Sequence, residues 1–223
     1  MASPVRLVCR EYGDAGLLVD VLADDPEVRW AATRDLGRAL REVSATEVPG
    51  VVDVVASFVN VFVQFDPLST DHEAMRAAVD ALSSRPSEVV EPRELEIAVS
   101  YGGDDGPDLA GVAAALDLTP AEVVELHSST PWTVRFVGSP LGAPLMDGPA
   151  IPASVPRLAN PRVRMEPGSV GMSGVQSIIY NAASPGGWQI IGRTRQPLFD
   201  VHTPPHVPYR AGDRLRFVPT DPA

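Results

Sequence analysis

Two side chains in the second half of the chain are suited to chemistry on a small amide or acid. His127 lies in the sequence ELHSS at the end of a predicted helix, and its unperturbed pKa near 6.5 suits a general acid, a general base or a donor to an amide. Arg193 ends a predicted strand, and its planar guanidinium can bind a carboxylate or a phosphate through two parallel hydrogen bonds. We predict both as candidate catalytic residues. The structural alternatives are a cap on the last helical carbonyls for His127 and a surface ion pair for Arg193.

Four residues near Arg193 in the sequence are candidate substrate-binding residues. Gln176 and Tyr180 are an even number of positions apart on one predicted strand, so both can face the same pocket. Thr194 follows Arg193 directly and offers a hydroxyl. Trp188 could stack on a ligand or fill the core.

Two further patterns favour structural roles over chemistry. Ser169 lacks a GxSxG context, so we interpret it as a turn residue and not as a nucleophile. His202 and His206 have a spacing like that of metal ligands, with Asp200 nearby, but the two prolines between them indicate a loop, and we predict no metal site. The acidic run Asp104–Asp108 is interpreted as helix capping before Leu109.

The segment that carries most of these candidates is rich in glycine. It reads PGSVGMSGVQSIIYNAASPGGWQIIGRT over residues Pro167 to Thr194, with short apolar runs separated by Gly, Pro or Asn. This pattern predicts tight strands and turns in which backbone approaches something closely.

The elements that precede this segment fall into two regions. Residues 1 to about 88 predict the order ββαββα, with two helices on one face of an antiparallel sheet. The first helix is predicted to start at Asp25-Pro26-Glu27, and the second at a capping box from Thr70 to Glu73. The polar stretch Ser83–Glu94 is predicted as a linker.

The second region, residues 89–223, begins with a predicted strand at Leu95–Ser100 and a Gly/Asp turn. Two short helices follow, and the second opens at a capping box, Thr119-Pro120-Ala121-Glu122. From Trp132 onward the chain has β-runs and many prolines with little helical periodicity, which predicts a closed or nearly closed β-barrel.

The composition excludes several classes of function. The net charge of −11, with no basic run, argues against nucleic-acid binding. All 18 basic residues are Arg, so the chain can supply neither the Lys of a Walker A loop nor a Schiff-base amine. The single cysteine, Cys9, cannot form an internal disulfide, and no apolar run has the ~20 residues that span a bilayer. We expect a cytoplasmic protein that does not act in a membrane.

Three blocks resemble one protein family, the B subunits of 5-oxoprolinase, also called allophanate hydrolase subunit 1, which includes sporulation-kinase inhibitors. The blocks are VSYGGDDGPDLAGVAAALDLTPAEVVELHSS from Val99, the glycine-rich segment with SPGGWQIIGRT, and AGDRLRFVP from Ala211. The loop Gly138–Gly148 keeps the glycines and Pro144 of the family loop but lacks its aromatic residues, which implies a wider or differently shaped pocket.

The resemblance implies an α+β protein. It has a small N-terminal α/β sandwich domain over residues 1–88, which we predict to be ferredoxin-like, and a C-terminal cyclophilin-like β-barrel over residues 89–223. It further implies a protein that acts with the C subunit of 5-oxoprolinase, or its allophanate hydrolase subunit 2 homologue, and with the A subunit. The implied reaction is ATP-dependent hydrolysis of 5-oxoproline to glutamate, with ATP and Mg²⁺ bound in the complex and little activity without the partners.

The resemblance leaves two alternatives open. One is amide hydrolysis by an allophanate hydrolase in urea breakdown. The other is a non-catalytic inhibitor that binds a histidine kinase, which would require an exposed apolar contact surface around the loop Ser139–Met146.

Overall fold

The computed structural model describes residues 5–44, 48–83, 90–138 and 141–220. The contacts divide the chain into two compact units, Met1–Glu91 and Pro92–Ala223, and each is a fold in its own right. No helix among these described residues is long and apolar enough to cross a membrane.

In the N-terminal unit, the part of the chain that the structure describes forms four strands and two helices in the predicted order ββαββα. They are β1 (Arg6–Glu11), β2 (Gly16–Leu22), α1 (Pro26–Ser44), β3 (Val51–Ala56), β4 (Asn60–Phe65) and α2 (His72–Ser83).

Both helices of this unit start at an aspartate. The Asp25 carboxylate accepts the backbone N–H groups of Glu27 and Val28 at 2.8 and 3.2 Å, as the sequence predicts. At α2 the prediction is wrong by one residue. Asp71, and not Thr70, accepts the N–H of Ala74 at 2.9 Å, because α2 begins at His72.

The sheet of this unit is antiparallel throughout, with strand order β1-β2-β4-β3. Strands β2 and β3 therefore run parallel on either side of β4, and α1 connects them as a split βαβ unit. If the chain is renumbered from β2, the order becomes βαββαβ with sheet order 4-1-3-2, so the arrangement is a circularly permuted ferredoxin-like sheet. Its core includes Leu17, Leu40, Phe65 and Met75, each at most 2% exposed.

The described residues of the C-terminal unit form two helices and nine strands. They are β5 (Glu94–Tyr101), α3 (Leu109–Leu116), α4 (Pro120–Ser129), β6 (Trp132–Gly138), β7 (Ala143–Asp147), β8 (Arg162–Met165), β9 (Ser169–Ser173), β10 (Gln176–Ile179), β11 (Ser184–Gly186), β12 (Gln189–Arg193) and β13 (Arg214–Thr220).

Seven of these strands close into a barrel, in the order β10-β7-β6-β13-β5-β12-β9, which confirms the predicted α+β fold with a C-terminal barrel. Within the barrel, β13 pairs with β5 in parallel, and the other paired strands are antiparallel. One large apolar cluster joins the strands to α3 and α4, with Trp132, Ile179 and Phe217 almost completely buried. A smaller cluster, which includes Met165 and Tyr180, packs between barrel strands and the two-stranded sheet of β8 and β11.

The two helices of this unit begin differently. Thr119 and Glu122 form the predicted capping box at α4, with Pro120 at its first position. At α3 the predicted cap is wrong, because the Asp108 side chain makes no capping hydrogen bond. Its carboxylate instead accepts both ends of the Arg162 guanidinium, at 2.7 and 2.9 Å, and the N–H of Ile190 at 2.7 Å.

Asp108 also donates its own N–H to the Ile190 carbonyl at 2.9 Å. It therefore pairs with Ile190 as a neighbouring strand would, beside the irregularity at which the register of β12 on β9 shifts. Gly106 makes this approach possible, since an added Cβ would lie 2.1 Å from the Ile191 carbonyl oxygen. The GGDDGPD turn thus fixes the path of β12 just before Arg193.

Candidate functional site

A cavity of about 310 Å³ lies where β12 ends. It combines backbone turns, two arginines and polar side chains with apolar residues of the segment that follows β12. The lining residues are Pro167, Gly168, Asn181, Arg193, Thr194, Arg195, Gln196, Pro197, Leu198 and Phe199.

Gly168 holds together the backbone around this cavity. Its N–H donates to the Tyr180 carbonyl at 2.7 Å, and its own carbonyl accepts the Thr194 N–H at 2.9 Å. With φ at +83°, an added Cβ would lie 2.1 Å from the Thr194 carbonyl oxygen, so only glycine fits. Asn181 directly follows Tyr180, and Arg193 directly precedes Thr194. The two hydrogen bonds of Gly168 therefore hold Asn181 and Arg193 next to the same glycine.

Arg193 is the cavity cation whose charge is least compensated. Its Nε donates to the Pro167 carbonyl at 3.0 Å, which orients the guanidinium. In residues 5–44, 48–83, 90–138 and 141–220, no carboxylate forms an ion pair with Arg193. By contrast, Arg195 donates to both oxygens of Asp105, at 3.0 and 3.1 Å. The cavity thus has a guanidinium suited to a carboxylate or a phosphate.

Asn181 is held by its amide nitrogen. The Nδ2 group donates to the Leu141 carbonyl at 2.9 Å and to the Tyr209 hydroxyl at 2.8 Å. The Tyr209 hydroxyl donates in turn to the Gly142 carbonyl at 3.0 Å, and burial raises the pKa of Tyr209, so this hydroxyl keeps its proton. Leu141 and Gly142 belong to the loop that lacks the family's aromatic residues. Hydrogen bonds therefore connect this loop to Asn181, which lines the cavity.

Of the other predicted site residues near Arg193, Thr194 lines the cavity and the remaining three do not. Thr194 lines the cavity, is 2% exposed, and accepts the Gln196 N–H through Oγ1 at 3.2 Å. Tyr180 and Trp188 pack together in the smaller apolar cluster and do not line the cavity. Gln176 donates to the Asp147 carboxylate at 2.9 Å.

His127 lies in the barrel core and not in a turn after the helix. It belongs to α4, is 0% exposed, and packs against the rings of Trp132 and Phe217 at centroid distances of 4.9 and 4.3 Å. Its Nδ1 is 2.7 Å from the Tyr101 hydroxyl, and its Nε2 is 3.0 Å from the Ser177 hydroxyl.

This burial lowers the pKa of His127 to about 3, so the ring is neutral at physiological pH. The two hydroxyls satisfy both ring nitrogens, as a buried imidazole requires. The described conformation gives a substrate no access to the ring. The placement favours a structural role, and a catalytic role for His127 remains a prediction.

The residues predicted to be structural make ordinary contacts. Ser169 is 6% exposed and contributes its backbone to the turn at Gly168. The Asp200 carboxylate accepts the His202 N–H at 2.8 Å, and the Asp200 carbonyl lies 2.9 Å from His206 Nδ1. No group of three or more His, Cys, Asp or Glu side chains in the described part of the chain could hold a metal ion.

A larger cavity, about 670 Å³, lies in the N-terminal unit between α1, β1 and the end of α2. Its lining mixes apolar side chains with charges of both signs, including the pair Arg38–Glu42 at 3.1 Å. None of the candidate site residues predicted from the sequence lines it. Size alone does not make it a site, and the smaller cavity at Arg193 is the better candidate.

Asn181 is one of the cavity residues that the sequence did not single out. It follows the QSIIY run and precedes two alanines, a position typical of a residue that ends a strand at a turn. Its only signal in the sequence is its position inside the glycine-rich segment.

Comparison with known proteins identifies a family and several relatives of this chain. The family model for the carboxyltransferase domain, subdomains C and D, matches residues 7–209. A protein of Escherichia coli O157:H7, named as the B subunit of 5-oxoprolinase, is 36% identical over 221 residues, covering 96% of each chain. A protein of Haemophilus influenzae with the same name is 35% identical over 189 residues, covering 85% of this chain and 84% of the relative.

A solved structure shows a similar fold. The crystal structure of TTHA0988 superposes with a TM-score of 0.78 at 27% identity. The match covers 94% of this chain and 40% of that chain.

Proposed function

Because this chain belongs to the carboxyltransferase domain family, subdomains C and D, and to its members named as B subunits of 5-oxoprolinase, we propose that it helps hydrolyse 5-oxoproline to glutamate. The relatives' names point to a hydrolase made of several subunits. The observation that carries the proposal is the cavity at Arg193, where a guanidinium without a carboxylate partner among the described residues borders a space of about 310 Å³.

A small cyclic acid suits this cavity. Its volume lies at the lower limit of ligand pockets, which run from about 300 to 1,000 Å³. The 5-oxoproline carboxylate can accept two parallel hydrogen bonds from Arg193, whose Nε contact with Pro167 already fixes the plane of the guanidinium. The five-membered lactam then lies against Pro197, Leu198 and Phe199.

The reaction adds water across the C5–N bond of the lactam. The carbonyl carbon becomes the new side-chain carboxylate, and the ring nitrogen takes a proton and becomes the amino group of glutamate. ATP, with Mg²⁺, would supply a phosphoryl group that activates the lactam carbonyl toward water. The cavity is small for a nucleotide, and the chain has no Walker-type lysine, so we propose that ATP binds mainly through the partner proteins of the complex.

Partners are part of the proposal. The relatives' designation as B subunits implies further subunits. We propose the C subunit of 5-oxoprolinase, or its allophanate hydrolase subunit 2 homologue, together with the A subunit. The chain alone is expected to be nearly inactive. With its lone cysteine and acidic surface, it is proposed to work in the cytoplasm.

The test is reconstitution of the complex from co-expressed subunits, followed by measurement of glutamate released from 5-oxoproline with and without ATP. Arg193→Ala removes a charge-assisted bidentate contact and should raise KM by about 10- to 100-fold. Arg193→Lys keeps the charge but loses the fork, and should lie between the wild type and Arg193→Ala.

The matched control is Arg216→Ala on β13, which removes an exposed ion pair with Glu94 and should leave KM unchanged. Equal KM values for Arg193→Ala and the wild type would refute the role of this cavity. An intact wild-type complex without ATP-dependent glutamate release would refute the reaction itself. The same complex, assayed with allophanate and with a histidine kinase, separates the two alternatives that the family includes.

A further inference from the structure

Asn181 has one oxygen that the fold leaves without a hydrogen bond. Its Oδ1 is buried, and no described residue donates to it. The remainder of the side chain is well satisfied, since Nδ2 donates to both Leu141 and Tyr209. A buried acceptor without a donor is unfavourable, and such atoms in native proteins call for an explanation.

Exchange of the amide nitrogen and oxygen does not remove the problem. The Leu141 carbonyl can only accept, so the amide nitrogen must face it. The Tyr209 hydroxyl donates to Gly142 and therefore accepts from Asn181. Both contacts require the present orientation, and the unpaired atom is the oxygen.

The position of Asn181 supplies the explanation. It lines the cavity that contains Arg193. The backbone bonds of Gly168 to Tyr180 and Thr194 hold the two side chains on either side of one glycine. A ligand that binds Arg193 through an anionic group therefore brings its neighbouring atoms toward Asn181.

We propose that the Asn181 side chain shifts when the substrate binds, so that its buried Oδ1 becomes accessible from the cavity and accepts the ring N–H of the substrate while Arg193 binds its carboxylate. This inference rests on the proposed function. In 5-oxoproline the N–H and the carboxylate are attached to the same carbon atom, so two adjacent protein groups can bind both at once. Asn181 is then the residue that selects a lactam over a ring of the same shape that lacks the N–H.

Selection of this kind is strong when a site offers a buried acceptor. A ligand that lacks the donor leaves Oδ1 unpaired, and a ligand with a ring oxygen also places two acceptors face to face. The useful probe is 5-oxotetrahydrofuran-2-carboxylate, the lactone in which oxygen replaces the N–H of 5-oxoproline. It keeps the ring, the carbonyl and the carboxylate.

The experiment measures inhibition of the reconstituted complex by the lactone against KM for 5-oxoproline, in the wild type, Asn181→Ala and Tyr209→Phe. The wild type should favour the lactam by about tenfold or more. Asn181→Ala should reduce this preference to about twofold or less, mainly because the lactam binds more weakly. Tyr209→Phe removes one support of Asn181 but leaves its Oδ1, and should keep most of the preference.

Each outcome decides one of the claims. One outcome is that Asn181→Ala leaves the wild-type preference unchanged because it weakens the binding of both ligands equally, which is the result expected for Tyr209→Phe. Asn181 is then structural and the inference is wrong. In that case wild-type turnover and the Arg193 effect still stand. If the wild-type complex neither binds nor hydrolyses 5-oxoproline, the proposed function fails, and the inference fails with it.

Discussion

The buried imidazole of His127 should make the C-terminal unit sensitive to mild acid. The ring is 0% exposed and its pKa is lowered to about 3 by burial, whereas an unfolded chain has the ordinary value of 6.5. Between these two values the unfolded state binds a proton that the folded state does not. Stability is therefore complete above pH 6.5 and falls as the pH falls through it, down to about pH 3.

The size of the effect follows from one-site linkage. With these two pKa values, a change from pH 7 to pH 5 should remove ~2 kcal/mol of unfolding free energy through His127 alone. Carboxylates also titrate in this region, so the absolute change is not diagnostic. In His127→Gln the carboxylates remain and the imidazole is gone, so the acid-induced loss should be smaller by that amount.

Urea unfolding at pH 7 and pH 5 measures this difference. Trp132 and Trp188 report on the C-terminal unit, and a Trp30→Phe background removes the tryptophan of the N-terminal unit. The variant is expected to be less stable than the wild type at pH 7, but only the pH-dependent part of the difference matters. The same acid-induced loss in both proteins would show that the imidazole can be protonated in the folded state, which is what a general acid or base requires.

Two further predictions concern the backbone around the cavity. Gly168→Ala places a Cβ 2.1 Å from the Thr194 carbonyl oxygen at φ +83°, and should destabilise the C-terminal unit by roughly 2 kcal/mol more than Gly174→Ala. Gly174 also has positive φ but nothing within 4 Å, so equal urea midpoints for the two variants would contradict the steric argument. Asp108→Ala removes the mostly buried partner of a bidentate arginine and of the Ile190 N–H, and should cost about 3 kcal/mol in the same assay. Glu94→Ala breaks an exposed ion pair and should lower the free energy of unfolding by less than about 1 kcal/mol. A similar loss of stability for both variants would show that the contacts of Asp108 with Arg162 and Ile190 do not stabilise the unit.

The elements of the fold could be predicted wherever their causes are local. The starts of α1 and α4 follow from Asp25 and Thr119, because a cap depends on the next three residues only. At α2 two capping residues are adjacent, and the pattern could not choose Asp71 over Thr70. Barrel closure depends on pairing between distant strands. The β-runs after Trp132 indicated a closed or nearly closed barrel, but the pattern could not give the strand order.

The site was predictable only in part, because its chemistry depends on tertiary contacts. Arg193 and Thr194 could be found, since a polar pair at the end of a strand stands out in sequence. Burial lowers the pKa of His127, and the residues that bury it come from four other elements, so this burial was not visible locally. Asp108 looked like a helix cap, and its true partners are 54 and 82 residues away in sequence.

The cavity residues lie where regular strand pairing ends. Asn181 comes two residues after β10, and Arg193 is the last residue of β12, just beyond its register shift. A strand interior directs side chains alternately to fixed faces, whereas a strand end fixed by Gly168 and Asp108 can direct two side chains to one small space. The chain carries a net charge of −11, so long-range steering disfavours an anionic substrate. Recognition then depends on short-range contacts inside the cavity. There Arg193 forms no ion pair with a described carboxylate, although Arg164 and, more weakly, Arg193 lower the pKa of Glu166.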